Sequence, residues 1–218
     1  MKIDPARYVG AVTREVRQRE HEGRPARVVV ARRTYDSTME DVWDALTNPE
    51  RIPRWFLPVS GELRLGGHYQ FEGNAGGDIT ECEPPRRLAV TWGAGGGPAS
   101  WVTVVLTDDP GGGTCLELEH MAHVDDDLWY QFGPGAVGVG WDLAVMGLAL
   151  HIETREAVSP EANAAWSASE EGKAFIRLSS DDWCRASIAF GTAAAAAKAA
   201  AQRTTGFYTG EDPAPAET

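Results

Sequence analysis

Cysteine is scarce in this chain, with three in 218 residues. Cys82, Cys115 and Cys184 are odd in number, far apart and lack a CxxC pair, which excludes a disulfide framework or thiolate zinc site and leaves three reduced thiols. No uninterrupted apolar run approaches the ~18 residues of a membrane span, so no bilayer crossing is expected. The opening MKIDPARYVG lacks the apolar segment of a secretory signal, because Asp4, Pro5 and Arg7 interrupt it; a cytoplasmic location is the expectation. Neither GxxxxGK[ST] nor GxSxG occurs, which removes P-loop and nucleophile-elbow chemistry. GPGAVG at 133–138 matches GxGxxG formally, but DDDLWYQF before it is no buried strand and Pro134 removes a backbone donor. No dinucleotide or other cofactor is therefore expected. Basic residues are outnumbered 20 to 32, and the net charge of −12 disfavours nucleic acid or an anionic lipid surface as partner.

Metal ligands fail on spacing. His120 and His123 are three apart on a strand and point to opposite faces, so they cannot share an ion. The acidic runs at 108–109, 125–127 and 181–182 lack the EF-hand pattern and read as solvated loops and caps.

What is present is a core and many large rings. Apolar residues make up 43% and charged residues 24%, with eight tryptophans, the balance of a globular protein. The first 34 residues hold nine Lys/Arg against four Asp/Glu, a basic arm whose simplest reading is a solvated helix face. Asp4 as a cap, Pro5 in a first turn, and Tyr8, Val12 and Val16 at intervals of four predict a helix that ends at Gly23 and Pro25. RPARVVVARRTY reads as a strand running to Asp36, Ser37 and Thr38, which offer a cap for the helix MEDVWDALT. After Asn48-Pro49 a second short helix, PERIPRWF, is expected.

From Pro58 to Val124 the period changes to alternation. VSGELRL, GHYQFEG, GDITECE, RRLAVTW, WVTVVLTD and TCLELEHMAHV predict consecutive hairpins, making with the first strand about seven strands in an antiparallel sheet, with GNAGG, GAGGG and PGGG as turns. VGVGWDLAVMGLALHIETR then predicts a long helix, apolar round so much of its circumference that it must be buried against the sheet. The fold class is α+β. Further helices follow in SPEANAAWSASEEGKAFIRL and SSDDWCRASIAFG, with Ser180 or Asp181 as a cap, and in the alanine-rich TAAAAAKAAAQRTTGFYTG.

The series ARRTYDSTMEDVWDALTNPERIPRWF, ECEPPRRLAVTW, LELEHMAHV and GWDLAVMGLAL resembles the SRPBCC or START-like superfamily. More narrowly, it resembles bacterial relatives of the C-terminal domain of the activator of heat-shock-protein-90 ATPase, over roughly residues 27–153. The resemblance implies a helix-grip fold, a curved sheet wrapped round the long helix with an apolar cavity between them. It implies a START-like domain at 27–155, preceded by an arm at 1–26; beyond about residue 156 the chain departs from the family pattern in a helical extension to 209, and the polar 210–218 is expected to be disordered.

The cavity would take a hydrophobic small molecule, lipid-like or polyketide-like. Trp43, Trp55 and Phe56 would line it or its mouth; packing in the join between helices and sheet is an equal alternative for each ring. Alternation adds Tyr69, Phe71, Trp92, Leu118 and His120 from the strands, and Trp141, Val145 and Met146 come from the long helix. An inward His120 would either orient a ligand or simply be satisfied by a backbone group, the plainer reading. No catalytic residue is assigned, and a non-enzymatic carrier, sensor or sequestering protein is the leading reading. A polyketide cyclase or aromatase would draw on His120, Tyr69, Arg33 and Tyr35; a natural-product self-resistance protein is related to it. A protein-interaction module is the third class, with the C-terminal helices as a candidate homodimer contact. The heat-shock link itself is not carried over, since activation there involves an additional N-terminal domain.

Overall fold

The computed structural model describes residues 3–93 and 100–211. Among them the strands are β1 (Thr13–His21), β2 (Arg24–Tyr35), β3 (Val59–Gly61), β4 (His68–Phe71), β5 (Gly76–Glu83), β6 (Arg87–Trp92), β7 (Ser100–Asp108) and β8 (Thr114–Ala122). They form one antiparallel sheet ordered β1-β2-β8-β7-β6-β5-β4-β3. The helices are α1 (Pro5–Gly10), α2 (Met39–Thr47), α3 (Asp126–Phe132), α4 (Gly135–Thr154), α5 (Pro160–Ala168), α6 (Glu170–Phe190) and α7 (Ala194–Thr209), with a 3-10 turn at Ile52–Arg54. This is the expected α+β, helix-grip class with one strand more than expected. GAGGG falls mainly on residues outside those described, as does nearly all of the terminal 210–218 segment.

Contacts divide the chain into two compact units. One comprises Met1–Ala31, His123–Leu143 and Ser159–Thr218, the other Arg32–Ala122 and Ala144–Val158. The boundary passes through β2 and α4, so each unit holds part of both.

In the first unit the expected long N-terminal helix is overturned. Asp4 does cap α1, accepting from the amides of Ala6 and Arg7 at 3.1 and 3.4 Å, but the helix stops at Gly10 and the chain turns extended. An interval of four is even, so Val12 and Val16 share a face in a strand as readily as in a helix. The deciding signal is Glu22-Gly23, with φ of 49° and 72°. Positive φ at both central residues marks the tight turn whose twist matches a hairpin.

The C-terminal helices also differ from expectation. Ser180 and Asp181 cap nothing, because α6 runs unbroken from Glu170 and its cap is Ser169, whose hydroxyl accepts from the Gly172 amide at 3.2 Å. Ser179 and Ser180 lie instead on the buried stripe with Phe175, Ile176 and Trp183. α6 packs on α1, β1, α5 and α7. Trp183 lies so close to Gly138 of α4 that a Cβ there would fall 2.3 Å from the indole. A buried carboxylate ties these elements together. Asp142 Oδ2 accepts from Arg14 Nε at 2.8 Å, from Trp183 Nε1 at 3.2 Å and from the Ser179 hydroxyl. Arg14 also reaches Asp182 at 2.7 Å.

α4 corrects the expectation that no segment is apolar enough for a membrane. Its length and composition suffice for a span, but 67% of its apolar window is buried inside the fold.

The Arg14 side chain is 2% exposed and that of Asp142 0%, so deleting the carboxylate takes from a buried cation one of its two carboxylate partners. We expect Asp142→Ala to lower unfolding stability by about 3 kcal/mol in denaturant titration. Asp182→Ala is expected to cost less, because that side chain is 18% exposed.

Candidate functional site

In the second unit, strand register decides which side chains share a wall. Directly paired residues of antiparallel neighbours point to the same side. Trp92 pairs with Ser100, Val90 with Val102 and Leu88 with Val104; Val102 pairs in turn with His120, Val104 with Leu118 and Leu106 with Leu116. β5 adds Ile79 opposite Val90, and β4 adds Tyr69 opposite Gly77. One face thus carries a nearly continuous apolar surface interrupted by His120 and Ser100.

Toward β4 this face ends in rings. Tyr69 and Phe71 are 5.4 Å apart between centroids, and Phe71 and Trp92 5.7 Å. Phe56 meets Phe71 edge-on at 5.0 Å, and Trp55 lies 5.6 Å from Phe56. Tyr69 is buried, whereas Trp55, Phe56, Phe71 and Trp92 remain partly exposed. Of the residues singled out from sequence, these five form one cluster. Leu118 and His120 lie on the adjoining face. Val145 and Met146 are buried on α4 at 3% exposure each. Trp43 sits on the flank of the α2 stripe formed by Met39, Val42 and Ala45, and is half-buried. Trp141 is half-buried in the part of α4 that belongs to the first unit.

The loop that delivers Trp55 and Phe56 is not the helix expected from PERIPRWF; only Ile52–Arg54 coil, as a 3-10 turn. It is held by charge. Arg51 bonds Asp41 and Asp44, each at 2.9 Å, and Arg155 grips both oxygens of Asp41 at 2.8 Å. These bonds, led by Arg155, hold the Asp41 carboxyl far below the usual carboxylate range. Trp55 Nε1 donates to the Ala45 carbonyl at 2.9 Å. The carbonyl of Trp55 lies against Gly147 of α4, 2.6 Å from where a Cβ would be, so only glycine lets the loop approach this closely.

The polar groups near the wall are committed. Ser100 Oγ donates to the Trp92 carbonyl at 2.8 Å, which uses its only proton. His120 Nε2, 2.7 Å from that oxygen, must therefore donate. This is opposite to the arrangement in which histidine draws a proton from a serine nucleophile. Tyr35 donates to the Val145 carbonyl at 3.1 Å and Tyr69 to the Thr91 carbonyl at 2.8 Å; burial raises the pKa of both phenols. Ser100 escaped the sequence reading because its partner across the ladder is set by a glycine-rich connection of unknown register.

A separate groove of about 650 Å³ opens beside the start of α2, lined by Asp36, Ser37, Thr38, Met39, Glu40, Pro85, Arg86, Asp108, Gly113 and Thr114. Its charged lining suits an apolar guest poorly, and the aromatic end of the sheet is the better candidate.

Residues 36–153 match the family model described as activator of Hsp90 ATPase homolog 1-like protein, just over half of the chain. The chain belongs to this family. CalU16 from Micromonospora echinospora is similar in its crystal structure, with 40% identity over 77% of this chain and 98% of CalU16 at a TM-score of 0.59. Its solution structure matches with 34% identity, over 84% and 97% of the two chains, at a TM-score of 0.66. DynU16, a protein of the dynemicin biosynthetic locus, shares the fold at 23% identity and a TM-score of 0.51, over 60% of this chain and 48% of its own. No curated protein matches the chain.

Within this family member, burial holds the His120 pKa at about 4 against an ordinary 6.5. His151 is also lowered, chiefly by burial. Its Nδ1 faces the Glu156 carbonyl at 3.1 Å and its Nε2 faces Arg51 at 3.4 Å. A depressed histidine pKa means the unfolded chain takes up protons first, so stability is complete above about pH 6.5 and declines as pH falls toward 4. For His120 alone the loss is on the order of 3 kcal/mol. Thermal unfolding between pH 7 and 4.5 should show this decline, and His120→Asn should flatten it. Asp41 acts in a lower window, below its unfolded pKa near 3.8.

Proposed function

We propose that the second unit binds a hydrophobic small molecule without transforming it, as a carrier, sensor or sequestering protein. The observation that carries this reading is the apolar wall ending in a cluster of five rings, four of them partly exposed. Rings left half in water at the edge of an apolar face gain free energy when a guest covers them, at roughly 25 cal/mol per Å² of apolar surface removed from water. The guest's chemistry follows from the lining, which is aromatic and aliphatic, with hydroxyl and imidazole groups already bonded. Lipid-like and polyketide-like compounds both fit.

The cyclase or aromatase reading is weaker on the same geometry. General acid–base catalysis needs groups free to face a substrate with pKa values near the working pH. Tyr35, Tyr69 and His120 instead have hydrogen bonds to carbonyl or hydroxyl oxygens and pKa values displaced away from neutrality.

Titration with anilinonaphthalene sulfonate and with a planar polyketide-like phenol, followed by tryptophan emission, tests the proposal. Saturable binding is expected, weakened roughly tenfold by Phe71→Ala or Phe56→Ala, since a ring contact contributes ~1 kcal/mol or more. Unsaturable binding, or full affinity in both variants once circular dichroism shows them folded, would refute it.

A further inference from the structure

Away from the ring cluster, the first unit brings together two histidines that the sequence keeps 102 positions apart. His21 is the last residue of β1, and His123 follows β8. Their ring centroids are 5.9 Å apart, with planes inclined at 35°. His123 Nδ1 lies 3.0 Å from the Pro25 carbonyl oxygen. A carbonyl can only accept, so Nδ1 carries the hydrogen and the lone pair of the neutral ring is on Nε2. A backbone carbonyl holding one ring nitrogen is the usual outer partner of a metal-bound histidine, because it fixes the tautomer and aims the other nitrogen. The Nε2 atoms of both rings are buried.

We propose that His21 and His123 form a two-histidine site for a late first-row divalent cation, with copper(II) bound best and nickel and zinc less well. A metal–nitrogen bond of about 2.0–2.1 Å places an ion roughly 3.2 Å from each imidazole centre, so two rings sharing one ion have centres about 5 to 6.5 Å apart. The observed 5.9 Å lies inside that interval. Imidazole suits copper, nickel and zinc, whereas magnesium and calcium prefer oxygen donors. Among the described residues no group of three or more His, Cys, Asp or Glu side chains is placed to hold an ion, so water or an incoming ligand completes the coordination. With only two protein donors, affinities follow the Irving–Williams order. The ion clips the turn between β1 and β2 to the residue at the end of β8.

The test uses the full chain without an affinity tag. Isothermal titration with copper(II), nickel(II), zinc(II) and magnesium(II) should give one ion per chain for the first three, copper tightest, and none for magnesium. Binding should fall at least about tenfold from pH 7.5 to 5.5, because protons compete with the ion for imidazole nitrogen. His21→Gln and His123→Gln should each abolish tight binding, while His68→Gln, at an exposed ring beside Asp78, leaves it unchanged. Absence of binding by the wild-type chain, or binding that persists in either of the first two variants, overturns the proposal. Circular dichroism of the metal-free variants confirms that lost binding is not lost folding.

Discussion

The antiparallel register of β5 through β8 is the constraint on which the rest of the molecule depends. Side chains alternate with a period of two, so slipping any of these strands by one residue would carry Val90, Val102, Leu118 and their neighbours to the opposite side. Two features oppose that slip. The register shifts between Ile79 and Glu81, an irregularity that a displaced pairing would have to relocate. Gly77 also sits where any Cβ would collide with the Thr91 carbonyl, 2.0 Å away. The apolar wall is thus a result of main-chain pairing, and the ring cluster is its terminus.

Both units bury polar groups, and they resolve the cost differently. Around His120 the solution is neutral: a ring kept uncharged by burial donates to Ser100, which donates to a main-chain carbonyl. Around Asp142 the solution is ionic, with a guanidinium, a hydroxyl and an indole converging on one carboxylate oxygen. The first leaves an apolar surface almost undisturbed. The second joins β1, α4 and α6 by bonds that hydrophobic packing alone would not specify.

Much of this was legible in the amino-acid order. The hairpins from Val59 onward, α2 with Thr38 as its cap and the long α4 follow from alternation, turn residues and helical period. The inward face of β8, with Leu116, Leu118 and His120, also follows. The N-terminal strand was not legible by spacing, because Val12 and Val16 satisfy both periods and only the turn at Glu22-Gly23 separates them. α6 misled for a related reason: Ser-Ser-Asp-Asp resembles a helix start, but both serines lie on the buried stripe of one unbroken helix and Ser179 bonds Asp142. The hydrogen-bond partners of His120, and the meeting of His21 with His123, depend on strand order and could not be read from local pattern at all.

Gly147 has a consequence for how such a protein changes over generations. The approach of the Trp55 carbonyl to this glycine anchors the loop through atoms common to every amino acid. The identity at position 56 is thereby uncoupled from the path of the backbone, and kindred chains can exchange ring for ring there while the scaffold beneath stays put.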